Sequence, residues 1–150
     1  MAAEEAMSEV EVRQMAQQQK DSVPVNRRAL LGRRGEDAAA GYLIRLGWIV
    51  LDRNWRCTEG ELDIVARDRS DLVICEVKTR SGTAFGAPIE AITPAKAARL
   101  RRLASRWAAI HGYAGATPRI DVIGLLAGGM AGGIAGGPGR FAIDHFRGVC

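Results

Sequence analysis

Two apolar runs meet around a short polar cluster in GELDIVARDRSDLVICEVKTR, residues 60–80. Apolar residues on both sides of Asp68-Arg69-Ser70-Asp71 predict a β-hairpin with strands over 61–67 and 72–80. The same runs carry Glu61, Asp63, Glu76 and Lys78. Burying a charge without a partner costs several kcal/mol. These groups must therefore pair with one another or meet an outside cation, and any fold of this chain has to satisfy that demand.

A turn centred on Arg69 and Ser70 pairs Asp68 with Asp71. Counting back along the strands then sets Asp63 opposite Glu76 and Glu61 opposite Lys78. Opposed side chains share a face, with Cβ atoms about 5 Å apart. Alternation puts Glu61, Asp63, Val65, Ile74, Glu76 and Lys78 on one face. Leu62, Ile64, Ala66, Val73, Cys75 and Val77 form a second, wholly apolar face that needs a helix against it. Two adjacent carboxylates repel and raise at least one pKa unless a cation intervenes. Hard oxygen ligands at this spacing suit Mg²⁺ or Mn²⁺. A Glu61–Lys78 salt bridge beside solvated acids, on an open sheet face, satisfies the same spacing.

The remaining elements follow from periodicity. Residues 27–46 read as a helix with a stripe of Ala39, Tyr42, Leu43 and Leu46, stopped by Gly47. Residues 48–56 read as a strand. Thr93-Pro94 reads as an N-cap followed by proline at the first helical position. That helix extends to about His111 and buries Leu100, Leu103, Ala104, Trp107 and Ala108. Residues 119–126 form a fourth strand, and 140–146 a last strand at an edge. The Gly/Ala-rich segment 127–139 is expected to be a flexible connection. Residues 1–26, polar and rich in Glu and Gln, are expected to be a disordered or loosely helical extension to a domain of 27–150. The order α-β-β-β-α-β-β predicts an α/β domain with one mixed sheet flanked by helices.

Charge narrows the partners. Residues 1–21 hold five acids and two bases, which leaves 19 bases against 12 acids in the rest. A basic folded part suits a polyanion, and nucleic acid is the commonest. Cys57, Cys75 and Cys150 are odd in number and form no CxxC pair, which fits a reducing cytoplasm. The N-terminus lacks the apolar region of a signal peptide. The uncharged stretch 122–138 is half Gly and Ala and barely reaches spanning length, so no membrane association is expected.

Asp63 followed by Glu76-Val77-Lys78 resembles the D…(D/E)xK signature of the PD-(D/E)xK nucleases, which include type II restriction enzymes and archaeal Holliday junction resolvases. More closely, RRGEDAAAGYL (33–43), GWIVLDRNWR (47–56), GELDIVA (60–66), CEVKTR (75–80), the Lys96–Arg99 helix and RIDVI (119–123) resemble the YraN-like family of uncharacterised bacterial proteins. Leu62 stands where the broader superfamily has a proline before the aspartate, a position that is not a ligand. The resemblance implies a restriction-endonuclease-like fold and metal-dependent phosphodiester hydrolysis, with DNA favoured over RNA. It implies Mg²⁺ or Mn²⁺ on Asp63, Glu76 and the backbone carbonyl of Val77. Lys78 would orient the attacking water or stabilise charge on the phosphate. It adds Glu36 as an acid near the metal, where the residues alone also allow a solvated helix carboxylate. A homodimer follows by analogy with junction resolvases.

Lys96 continues the buried stripe of its helix and points inward at its start, to hold a phosphate or to snorkel to solvent. Arg99, Arg102 and Arg106 form a basic stripe suited to phosphate contact or to an ordinary solvated face. Trp48, Trp55 and Trp107 belong with the core. His111 and His145 have no partner at ligand spacing and receive no chemical role. The non-catalytic alternatives are a nucleic-acid-binding protein that keeps the nuclease fold, and an interaction protein that uses its acidic extension.

Overall fold

The computed structural model describes residues 8–11, 13, 26–81, 92–128, 130–131, 134–135 and 141–149. The chain divides into residues 1–30 and 31–150. In the first part, Ser8 and Glu11 cap a helical turn reciprocally: the Glu11 carboxylate accepts from Ser8 N at 2.9 Å, and Ser8 Oγ accepts from Glu11 N at 3.3 Å. The rest of the proposed extension lies outside the described residues, apart from Arg13 and Asn26.

Helix α1 spans Arg27–Arg45. Asn26 Oδ1 caps it by accepting from Arg28 N and Ala29 N. Its end is a Schellman turn. Gly47 takes φ +87°, Gly47 N bonds Ile44 O, and Trp48 N bonds Leu43 O. Leu43 and Trp48 bury in the same cluster, which is the hydrophobic contact such a turn carries. The turn also corrects the expected stripe. Leu46 lies beyond the last helical residue and is exposed.

Strands β1 (Ile49–Cys57), β2 (Gly60–Asp68) and β3 (Asp71–Arg80) follow as an antiparallel meander. A bulge at Leu51 shifts β1 against β2. Arg69 adopts φ +56° in the two-residue turn between β2 and β3. Helix α2 (Pro94–Ile110) crosses over to β4 (Arg119–Ala127), which lies parallel to β3. Thr93 is its N-cap and Pro94 its first residue, as the sequence predicts. Within the Gly/Ala segment, β5 (Met130–Ala131) and β6 (Ile134–Ala135) pair as a short ribbon; the other residues of 129–140 lie outside the description. The last strand, β7 (Phe141–Phe146), pairs antiparallel with β4. The sheet order β1-β2-β3-β4-β7 puts β7 at one edge and β1 at the other. A mixed five-stranded sheet with a helix on each face is the arrangement of the restriction-endonuclease-like fold.

Each face has its own core. On one face, Ala39 and Leu43 of α1 pack with Trp48, Ile64, Ala66, Val73, Cys75, Val77, Ile123 and Leu125. Against α2 lie Leu62, Val65, Leu72, Ile74, Ile120 and the helix residues Leu100, Leu103, Ala104, Trp107 and Ala108. Burying one such large aliphatic side chain contributes about 1.5–3 kcal/mol. Leu62 corrects the alternation: it packs on the α2 side, not with Ile64. The β2–β3 ladder stops at Ile64↔Cys75, and from there β2 follows β1 alone. Trp48 and Trp107 are buried, as expected, and Trp107 Nε1 donates to Asp52 Oδ2 at 2.8 Å. No helix among the described residues is long and apolar enough to cross a membrane.

A polar knot closes the turn end of the sheet. Asp121 is fully buried and accepts from Arg119 Nε at 2.9 Å and from Gly148 N at 2.9 Å. His145 Nε2 lies 2.8 Å from Asp121 Oδ2, and His145 Nδ1 lies 3.0 Å from the Tyr42 hydroxyl. Arg119 also reaches Asp68 at 3.3 Å, tying β4 to the end of β2. His145 thus has partners that its sequence neighbourhood does not show. Burial alone would raise the Asp121 pKa, but the bonds from His145, Arg119 and Gly148 outweigh it and lower the pKa below the ordinary carboxylate value.

A carboxylate with a lowered folded-state pKa stabilises the fold above its unfolded pKa, and the contribution is lost as pH falls through the folded value. Stability from Asp121 is therefore expected to be complete at neutral pH and to decline below about pH 4. Asp121→Ala should remove about 1–3 kcal/mol at pH 7, because it leaves the Gly148 amide and His145 Nε2 without their buried acceptor, while Arg119 keeps Asp68 and Asp71. Urea unfolding of both proteins from pH 7 to pH 3 measures this, and the gap should shrink at the acid end.

Candidate metal and nucleic-acid site

The site forms where β2 and β3 separate. Continuing their register would pair Val77 with Leu62 and Glu76 with Asp63. Instead, the Val77 amide donates to Asp63 Oδ2 at 2.9 Å. The carboxylate takes the place of a strand carbonyl and holds the fork open. In a strand, one residue's N–H and C=O point to the same side. The Val77 carbonyl therefore faces the same opening as the Asp63 carboxylate. Beyond the fork, β3 stays paired to β4 as far as Arg80↔Leu126, so its open edge is rigid.

The predicted acids divide into two groups. Carboxylate oxygens of Glu36, Glu61 and Asp63 lie within 4.8 Å of one another. Glu76 is nearby, and its charge acts on Asp63, but its own carboxylate is occupied. Glu76 Oε1 is 2.6 Å from Lys96 Nζ and 3.4 Å from Lys78 Nζ. The Glu76 side chain is only 9% exposed, so both ammonium groups meet it in a largely dry setting. Glu61 pairs with Arg56, its direct cross-strand partner, at 2.7 Å.

Glu36 reaches the cluster because Gly35 lets α1 approach β3. A methyl group on Gly35 would collide with Thr79 Oγ1 and would lie 2.8 Å from Thr79 Cβ and Cγ2. Gly35 and Glu36 thus act together, the first by close contact and the second by charge. From α2, Lys96 approaches the opposite side of the sheet. Its position is fixed by Thr93 Oγ1, which accepts from Lys96 N at 3.1 Å, and by buried Ala97 and Leu100. Arg99, Arg102 and Arg106 are exposed along the same helix. Arg106 also makes a longer ion pair, 3.7 Å, with Glu59. From Lys96 to Arg106 is ten residue steps, a rise of about 15 Å.

Electrostatics put Asp63 under tension. Burial and the nearby charge of Glu76 push its pKa up to about 7, with smaller pushes from Glu36 and Glu61. The Val77 amide opposes them. Three gathered carboxylates, a facing backbone carbonyl and one acid so reluctant to ionise are what a hard divalent cation relieves. The donor set therefore fits Mg²⁺ or Mn²⁺.

The sequence alone offers Glu61 only as a partner for Lys78 and gives Gly35 no role. Arg56 in the preceding strand is the available signal for Glu61. A glycine directly before the helix acid is the signal for Gly35.

Residues 35–125 match the uncharacterised protein family UPF0102. The chain belongs to that family. It is 51% identical to the UPF0102 protein of Frankia alni over 119 residues, 79% of this chain and 92% of that one. The UPF0102 protein of an Arthrobacter species (strain FB24) is 52% identical over 120 residues, 80% and 95% of the two chains. That of Streptomyces coelicolor is 51% identical over 131 residues, 83% and 92%. The matched part of this UPF0102 chain begins at Gly35, next to Glu36, and takes in β1, β2 and β3 whole and β4 as far as Leu125.

A carboxylate whose folded pKa is raised costs stability once pH exceeds its unfolded value, and the cost is complete above the folded value. In metal-free protein, Asp63→Asn should therefore unfold at higher temperature than wild type at pH 8, with the difference fading towards pH 4. Thermal unfolding in chelator across that range measures it. Gly35→Ala should act oppositely, lowering the melting temperature at both ends of the range.

Proposed function

We propose that this protein is a metal-dependent nuclease-like enzyme that hydrolyses phosphodiester bonds in nucleic acid, with DNA preferred. The observation that carries the reading is the fork itself: Asp63 locked by the Val77 amide, Glu36 and Glu61 beside it, and two lysines on Glu76. Asp63, Glu76 and the Val77 carbonyl would hold Mg²⁺ or Mn²⁺, and Glu36 with Glu61 extends the acidic set. A divalent ion there supplies positive charge at the scissile phosphate and lowers the pKa of a water. Lys78, on the same side as Glu76, orients that water or stabilises charge that develops on the phosphate. Arg99, Arg102 and Arg106 bind the backbone further along α2. A cytoplasmic setting and a homodimer, by analogy with junction resolvases, complete the proposal.

The second reading is a nucleic-acid-binding protein without turnover. Its support is the 2.6 Å ion pair that keeps Glu76 on Lys96.

A panel of single-stranded, duplex, flap and four-way-junction DNA and of RNA, incubated with Mg²⁺ or Mn²⁺, separates the two. On the enzyme reading, Asp63→Asn abolishes cleavage and weakens metal binding. Lys78→Ala keeps most of the metal affinity and loses rate, since its role lies in the transition state. Both variants should still bind nucleic acid. Metal-independent binding without cleavage of any substrate would favour the second reading. In either case, reversing the charge of Arg99, Arg102 and Arg106 should flatten the salt dependence of binding by about one unit for each phosphate that is no longer neutralised.

A further inference from the structure

Lys96 occupies the third position of α2, counted from its Thr93 cap. In a capping box that position holds Glu or Gln, whose side chain returns to the cap. The positive end of the helix macrodipole makes a cation there unfavourable. No acidic residue in the first turn of α2 offsets it. The side chain nevertheless folds inward to Glu76 Oε1 at 2.6 Å, closer than Lys78 at 3.4 Å, and is only 21% exposed. A lysine placed against its helix and turned onto a buried carboxylate needs a reason beyond packing.

Charge around the fork supplies one. Glu36, Glu61, Asp63 and Glu76 are four carboxylates, faced by Arg56 on Glu61 and by Lys78 and Lys96 on Glu76. The cations nearly balance the acids without any ion. A divalent cation entering the fork would repel both ammonium groups and compete for Glu76. Between the two, Lys96 has the helix N-terminus behind it, which adds to the repulsion. Once displaced, it stands at the head of the Arg99, Arg102 and Arg106 stripe.

We propose that Lys96 is an exchangeable counter-ion of the site: it holds Glu76 in the metal-free protein, yields it when a divalent ion binds, and then carries its charge to a phosphate of the nucleic acid. This rests on the metal-dependent reading of the fork. It makes metal and substrate binding mutually supportive, because each needs the same lysine to move.

The test uses the full chain with Mn²⁺ alone, by calorimetric titration of wild type, Lys96→Met and Lys96→Gln. Removing one positive charge next to the ligands should tighten Mn²⁺ binding about tenfold or more in both variants. If neither neutral variant bound Mn²⁺ more tightly, Lys96 would not be opposing the ion at Glu76, and that result overturns the proposal. A second measurement follows duplex-DNA binding against salt in a Lys78→Ala background. Lys96→Met should reduce the slope by about one unit with Mn²⁺ and leave it unchanged in chelator. Equal reduction with and without Mn²⁺ would overturn the exchange, since Lys96 would then reach phosphate without leaving Glu76. Wild type that binds Mn²⁺ while neither variant binds it more tightly removes the role of Lys96 alone. No Mn²⁺ binding by any of the three at millimolar concentration removes the metal reading and this proposal together.

Discussion

The bond from the Val77 amide to the Asp63 carboxylate sits where β2 and β3 part, and the site depends on it. A buried amide needs an acceptor. Had β2 continued its ladder, the acceptor would have been a backbone carbonyl and the two strands would have closed over the gap. With a side-chain carboxylate in that role, the backbone requirement is met while the strands diverge. The same bond opposes the rise in the Asp63 pKa, yet burial and Glu76 still prevail. The fork is held together by a group that is itself under electrostatic strain.

Elements outside β2 and β3 shape that strain: α1 adds to it with Glu36, while α2 and β1 bring cations to the neighbouring acids. Helix α1 comes close enough to bring Glu36 only because position 35 has no side chain. Helix α2 supplies Lys96 to Glu76 from the other face. Strand β1 supplies Arg56 to Glu61. The two apolar cores fix these three suppliers against one sheet, so Lys96 and Arg56 meet their acids at 2.6 and 2.7 Å and Glu36 comes within 4.8 Å of Asp63 and Glu61. The cores provide the stability, and the acids at the fork draw on it.

The opposite end of the hairpin solves a similar problem without leaving a charge unsatisfied. Asp121 is closed to solvent where Asp63 is half-buried, but it has Arg119, His145 and the Gly148 amide around it, and its pKa falls where that of Asp63 rises. Two buried aspartates in one sheet thus differ in sign because one is surrounded by donors and the other by acids. The first ties β4, β7 and the β2–β3 turn together; the second carries its charge only at a cost.

The sequence by itself determined the elements. Alternating apolar residues set both hairpin strands, and the polar turn set their register as far as Ile64↔Cys75. Thr93-Pro94 and Gly47 set the helix ends, because caps and turns are local hydrogen-bonding problems solved by adjacent residues. The basic balance beyond residue 21 was legible for the same reason. Only the tertiary structure decided where the ladder stopped, which moved Leu62 to the other core and opened the fork. It decided that Glu61 would face Arg56, that Lys96 would take Glu76, and that His145 would find Asp121. Those contacts join elements whose relative placement comes from packing helices onto opposite sheet faces, and periodicity within one segment carries no information about what arrives from another.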